Sequence, residues 1–182
     1  KTITCGGGGG LFCNNLELLE KAKHLSTTAR RGIAYDHDEV GFNYRLTNLQ
    51  AAVGCAQMEQ LEMFVTRKRE IHASYKDAFE GISGVKPFPS SRWAESACWF
   101  SGVELDNRYD IDCILDSLQK CGIGARPFWK PVHLQTPYMN CPQANLDETG
   151  RLWKQIVTLP CSTSITEDEI QFVIDCLTGL IE

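Results

Sequence analysis

The residues able to do chemistry in this chain fall into a few groups, and most of them have an ordinary structural explanation. Lys1 is a primary amine at the head of the sequence, followed after Thr2-Ile3-Thr4-Cys5 by five consecutive glycines, Gly6 to Gly10. A glycine-rich turn cradles phosphate when its N–H groups sit at a helix N-terminus. Here the extended pattern Leu11-Phe12-Cys13 follows instead, which favours a tight turn made possible by the missing Cβ atoms. The run Asp36-His37-Asp38-Glu39 has metal-ligand residue types but no second histidine at a useful spacing, so no metal is expected there. Nine cysteines is an odd number without a C-x-x-C pair, and they read as reduced thiols. Cys55, Cys113, Cys121 and Cys176 are expected as small core hydrophobes, and Cys141 and Cys161, each beside a proline, show no chemistry.

The elements that must position these groups are read from periodicity and caps. Residues 1–5 and 11–13 are expected as two short strands around the glycine turn. Asn14 and Asn15 can cap a helix with Leu16, Leu19 and Leu25 on one side, ending near Arg30-Arg31-Gly32, and a loop follows through residues 35–45. Thr47-Asn48-Leu49-Gln50 is a capping box, opening a helix in which Leu49, Val53, Leu61, Ile71, Tyr75 and Phe79 recur until Gly81 and Gly84. Some thirty residues of helix span about 45 Å, which suits a bridge between two lobes.

Beyond Lys86–Pro89, residues 96–105 read as a strand and Asp110 as the cap of a helix whose Ile111, Ile114, Leu115 and Leu118 face a core, with Gly122 as its stop. Residues 124–137 are extended and rich in proline and aromatics, 147–155 a short helix and 156–159 a strand. The last helix opens on the capping box Thr166-Glu167-Asp168-Glu169 and should bury Ile170, Val173, Ile174, Leu177 and Leu180. Strands separated by helices over 85–182 make a small α/β sandwich. The expected organisation is therefore 1–46, a linking helix 47–84, and 85–182.

Composition narrows the function classes. The 182 residues are 43% hydrophobic and 23% charged, the balance of an ordinary globular chain of one domain or two small ones. With 18 basic and 23 acidic residues the net charge is −5, which is not the electrostatic footprint of a nucleic-acid binder. No apolar run is long enough to cross a bilayer and no signal segment opens the chain, so neither a membrane partner nor secretion is expected, and the cytoplasm is the expected location.

Three ordered stretches carry more: Lys1-Thr2-Ile3-Thr4-Cys5-Gly6-Gly7-Gly8-Gly9, then residues 37–54 (HDEVGFNYRLTNLQAAVG), then residues 122–135 (GIGARPFWKPVHLQ). Together they resemble the pyridoxal-phosphate-dependent sugar aminotransferases of the DegT/DnrJ/EryC1/StrS type, over essentially the whole chain. The resemblance implies an α/β architecture, the C-terminal part of a fold-type I PLP transferase with a long bridging helix and a small α/β sandwich domain. It implies that 1–46 is the remnant of a large cofactor-binding domain. It also implies that Lys1 holds pyridoxal 5′-phosphate through its ε-amine and moves the proton at the amino donor's α-carbon.

By the same resemblance, Asn43 reaches the cofactor phosphate of a partner subunit, with Arg45 close enough to add a charge-assisted contact, and a homodimer follows. Arg126 and His133 fall in a segment lining the sugar-nucleotide pocket, while Phe128 and Trp129 either stack there or fill the core. The implied reaction converts a nucleotide-linked 4-keto-6-deoxy-hexose to the 4-amino sugar for surface polysaccharide such as lipopolysaccharide, with glutamate as donor. The sequence departs from the family in a glycine where a glutamate commonly follows the threonine-glycine pair, and at Gly10, where a larger apolar residue is usual. Family members are also about twice as long, and the absent half carries the aspartate on the pyridine nitrogen and the ring-stacking aromatic. The chain is thus expected either as the C-terminal half of such an enzyme or, alternatively, as a catalytically inactive fragment that folds and dimerises through residues 42–49.

Overall fold

The computed structural model describes residues 2–181, so the expectation placed on Lys1 lies outside the described residues. The chain divides into two compact units, Ile3–Leu61 and Glu62–Glu182. No helix among the described residues is long and apolar enough to cross a membrane.

In the first unit the two expected strands around the glycines do not form. Five residues without side chains have nothing to pack on a sheet face and lose the most backbone entropy on ordering. Their bonds stay local: Gly6 N donates to Thr4 Oγ1 (3.3 Å) and Cys5 Sγ to Gly7 O (2.9 Å). Helix α1 (Leu16–Ser26) starts where Asn15 Oδ1 accepts from Leu18 N at 3.0 Å. It stops earlier than the sequence suggests because Thr28 and Ala29 take left-handed φ values of 67° and 51°.

The carbonyls left free at that end are taken by the returning chain. Phe42 N donates to Leu25 O (2.7 Å), Tyr44 N to Ser26 O (3.0 Å), and Thr28 N to Phe42 O (3.0 Å). Gly41 makes this approach possible, since a Cβ there would lie 2.3 Å from the Thr28 carbonyl carbon. Part of the expected loop is instead a small antiparallel hairpin, β1 (Arg30–Arg31) with β2 (Asp36–His37). The apolar side expected of α1 faces no core, for the helix buries no residue.

Helix α2 (Asn48–Met58) opens with the expected capping box: Gln50 N donates to Thr47 Oγ1 (3.3 Å) and Thr47 N to Gln50 Oε1 (3.2 Å). The single long helix expected over 47–84 is two helices, α2 and α3 (Leu61–Ala78). At the break, Gln60 N turns to Gln57 O at 3.2 Å, while the Gln60 side chain takes Ala56 O at 3.4 Å. The residue's own amide thus occupies the carbonyl that its backbone N–H would have used.

The second unit holds a four-stranded sheet, β3 (Val85–Pro87), β4 (Ser101–Leu105), β5 (Arg126–Pro127) and β6 (Ile156–Leu159), in the order β3-β4-β6-β5 with every pair antiparallel. β4 starts later than the expected residue 96 because Cys98 adopts φ 48°, which breaks the extended run. α4 (Ile111–Lys120) is capped by Asp110, which accepts from Cys113 N at 3.1 Å, and Gly122 follows it at φ 78°. The expected 147–155 helix is the shorter α5 (Asp147–Leu152), since the next N–H groups bond three residues back, Lys154 N to Arg151 O and Gln155 N to Leu152 O. α6 (Glu167–Ile181) follows the Thr166–Glu169 capping box.

The core is the meeting of α3, α4 and α6 with β4 and β6, through Ile71, Tyr75, Leu118, Val157 and Leu177. On α6 the buried series is Ile170, Val173, Leu177 and Ile181, so Ile181 takes the inward place expected for Leu180, which is 39% exposed. The cysteine expectation also changes. Cys55 lies on α2, which buries nothing, and Cys113 and Cys121 lie at the two ends of α4. All three are exposed, and Cys176 is half-buried.

Replacing Leu118, fully buried, by alanine should cost about 2–5 kcal/mol in urea unfolding of the second unit. Leu49→Ala, at a position 80% exposed on α2, should change stability by less than about 0.5 kcal/mol. Equal costs for the two would contradict a core confined to the second unit.

Candidate functional site

In the first unit an open groove of about 690 Å³ is lined by Gly8, Gly9, Gly10, Asn43, Arg45 and Thr47 among others. The fold therefore brings the glycine run together with two of the residues singled out from sequence. Asn43 is held by a β-bridge to Thr27 just past the end of α1, and the Phe42 and Tyr44 rings on either side of it stack at 5.1 Å. Gly8 lies against Leu46, whose Cδ1 would be 2.7 Å from any Cβ added there.

The groove opens at the N-cap of α2, where unpaired helix N–H groups and the helix dipole favour an anion. The Thr47 hydroxyl is committed to its capping box, which leaves the Asn43 amide, the Arg45 guanidinium and glycine N–H groups as donors. Arg45 forms no ion pair among the described residues. No helix starts directly after the glycines, where a phosphate cradle would need one. The helix N-terminus comes instead from α2, on the far side of α1, and only the chain's return past Gly41 brings it there.

The acidic stretch is also rearranged. Ligand atoms of His24, Asp38 and Glu39 lie within 4.8 Å of one another, whereas His37 turns away and its Nδ1 lies 2.8 Å from Thr28 O. Both carboxylates are already engaged: His24 Nε2 is 2.6 Å from Asp38 Oδ1, Arg31 Nε donates to Asp38 Oδ2 at 2.6 Å, and Lys21 pairs with Glu39. The hydrogen bond from His24, then that from Arg31, pulls the Asp38 carboxyl down to about 2. This cluster fastens the β1–β2 hairpin to α1.

In the second unit His133 stands in a 3-10 turn, Val132–Leu134, and lines a groove of about 460 Å³ with Asn145, Asp147, Trp153 and Lys154. Arg126 is exposed on β5, with its carbonyl accepting from Thr158 Oγ1 at 2.9 Å, and it does not line that groove. An adjoining apolar groove of about 440 Å³ is formed by Phe88, Phe128, Trp129, Pro131 and Trp153 among others. Phe128 packs edge-on to Phe88 at 5.8 Å and Trp129 to Phe100 at 4.9 Å, yet Trp129 stays 58% exposed. Trp153, which the sequence reading passed over, lines both grooves, and its Nε1 is buried without a hydrogen-bond partner among the described residues.

The profile of the DegT/DnrJ/EryC1/StrS aminotransferase family matches residues 1–178. EpsN of Bacillus subtilis (strain 168), whose assigned name is that of a pyridoxal phosphate-dependent aminotransferase, is 37% identical over 99% of this chain and 48% of its own length. The GDP-perosamine synthase of Vibrio cholerae is 27% identical over 97% of this chain and 49% of its own. The structure of Helicobacter pylori PseC, an aminotransferase involved in the biosynthesis of pseudoaminic acid, superposes with a TM-score of 0.81 at 21% identity, over 92% of this chain and 47% of that one. The chain spans about half the length of the curated relatives it matches.

Because its folded value lies below the ordinary carboxylate value of 3.8, Asp38 stabilises the hairpin above that pH and loses the contribution as pH falls toward 2. Carboxyl-carbon NMR should place the Asp38 midpoint near 2, with contacts between α1 and the hairpin fading between about pH 4 and 2. A midpoint at the ordinary value would break the pairing with His24 and Arg31.

Proposed function

This chain belongs to the DegT/DnrJ/EryC1/StrS aminotransferase family, and on that premise we propose that it carries part of the active site of an aminotransferase acting on nucleotide-linked sugars. The observation that carries the reading is the groove that gathers Gly8–Gly10, Asn43 and Arg45 at the N-terminus of α2. Its donor set fits a phosphate group: a planar guanidinium, an amide and backbone N–H groups beside a helix start. When bound, pyridoxal 5′-phosphate supplies a carbon that accepts amines and a ring that takes up electron density. Asn43, with Arg45 beside it, would hold the phosphate of the cofactor carried by the partner subunit. Lys1 would be the amine that binds the cofactor covalently and, once displaced by the amino donor, would take the proton from the donor's α-carbon at Nζ.

Arg126 and His133 bind the sugar nucleotide in this proposal. Arg126 suits an anionic diphosphate because its guanidinium is exposed without an ion pair among the described residues. The substrate we propose is a 4-keto-6-deoxy-hexose nucleotide, converted to its 4-amino sugar with glutamate as donor, for surface polysaccharide. Residues 1–46 belong to the cofactor lobe and 85–182 to the small domain in this proposal, and of the linking stretch 47–84 the helix α3 packs into the core of the latter. A homodimer in the cytoplasm completes the reading, and nine free cysteines accord with a reducing compartment.

One observation favours a second reading, a pairing module without catalysis. Phe42, Tyr44, Leu46 and Leu49 are all exposed, and such a stretch of apolar side chains is suited to cover by another protein surface.

Titrating the chain with pyridoxal 5′-phosphate separates the two. The first reading expects an absorbance band near the edge of the visible range that is absent in Lys1→Ala. In Arg45→Ala the apparent Kd should rise roughly tenfold, the worth of one charge-assisted contact. Absence of the band together with a dimer by light scattering would replace the first reading by the second, and a monomer without the band would end both.

A further inference from the structure

Lys68 and Cys161 take no part in the chemistry proposed above, yet their side chains meet inside the second unit. Lys68, on α3, is 8% exposed. Among the described residues no carboxylate lies within ion-pair distance of its Nζ. The amine instead donates to Cys161 O at 2.6 Å and Trp99 O at 3.4 Å, with Cys161 Sγ 3.7 Å away. Cys161 Sγ also donates to Trp99 O, at 3.3 Å, so amine and thiol converge on one carbonyl. One residue earlier, Tyr75 Oη donates to Pro160 O at 2.7 Å, which holds the segment after β6 against α3. Among the described residues the Lys68 amine is thus held by neutral acceptors alone, directly beside the Cys161 sulfur.

From this geometry we propose that Cys161 and Lys68 are a modification site, at which a hydroperoxide drives a direct sulfur–nitrogen cross-link. The thiol releases its proton to solvent and sulfur attacks the peroxide O–O bond, giving a sulfenic acid and hydroxide. The hydroxide takes a proton from the Lys68 ammonium and leaves as water. The neutral amine then attacks sulfur, the S–O bond breaks, and the hydroxyl departs as a second water with one amine hydrogen. Two electrons pass from sulfur to the peroxide, which is the only oxidant required. Sulfenic acids condense with nitrogen nucleophiles when one is held against them, and here the nitrogen is held by the same residue's carbonyl.

The test is hydrogen peroxide treatment of the whole chain, followed by tryptic mapping with mass spectrometry. The expected result is a linked peptide pair joining Lys68 to Cys161, lighter than the sum of its parts by about 2 Da, with no cleavage after Lys68 and release by dithiothreitol. Cys161→Ser and Lys68→Arg should each abolish the link, and the untreated wild-type map provides the reference if a variant does not fold. Cleavage at Lys68 with only oxygen adducts on Cys161 would overturn the proposal. So would a disulfide from Cys161 to another cysteine, or a link heavier by one oxygen.

Discussion

The pairing of β4 with β6 is the contact on which the second unit rests. Gly102 allows it: any Cβ at that position would come within 2.1 Å of Val157 O, so the two central strands run side by side only because the residue has no side chain. All of β4 and β6 is buried in consequence. The sheet then offers α3, α4 and α6 a continuous apolar face, and at its margin the buried Glu104 carboxylate pairs with the exposed Arg151 guanidinium at 2.9 Å.

The first unit obeys a different constraint. Ala29 is its only buried residue among those described, so hydrophobic burial within the unit contributes little to its order. What organises it is backbone accounting: the carbonyls at the end of α1 need donors, and residues 42–44 supply them. The side-chain pairs among Lys21, His24, Arg31, Asp38 and Glu39 add a second fastening. A groove built this way is shaped by main chain and caps rather than by packing, which suits a site whose donors are backbone N–H groups and two polar side chains.

These two regimes explain which parts of the chain were legible from sequence. Caps were read correctly at Asn15, Thr47, Asp110 and Thr166 because a cap is a local bargain between a side chain and N–H groups two or three residues away. The β6 strand and the inward face of α4 were equally plain, since period and burial agree there. The glycine run was misread as a turn between strands, and α1 was given a core it does not have, because propensity says nothing about whether a surface exists to receive an element. The break at Gln60 was also hidden, for it depends on a side chain competing with its own backbone.

By itself the sequence determined the family, through three motifs in order, the helix caps, and the polar residue types that come to line the groove. Only the tertiary structure decided that Gly8–Gly10 face Asn43 and Arg45 across a groove, that His133 shares its surroundings with Trp153 rather than with Arg126, and that Lys68 meets Cys161. The reason is physical. Caps and periodicity are settled by neighbours along the chain, whereas these juxtapositions come from close approaches at Gly41 and Gly102 and from the direction in which the chain returns.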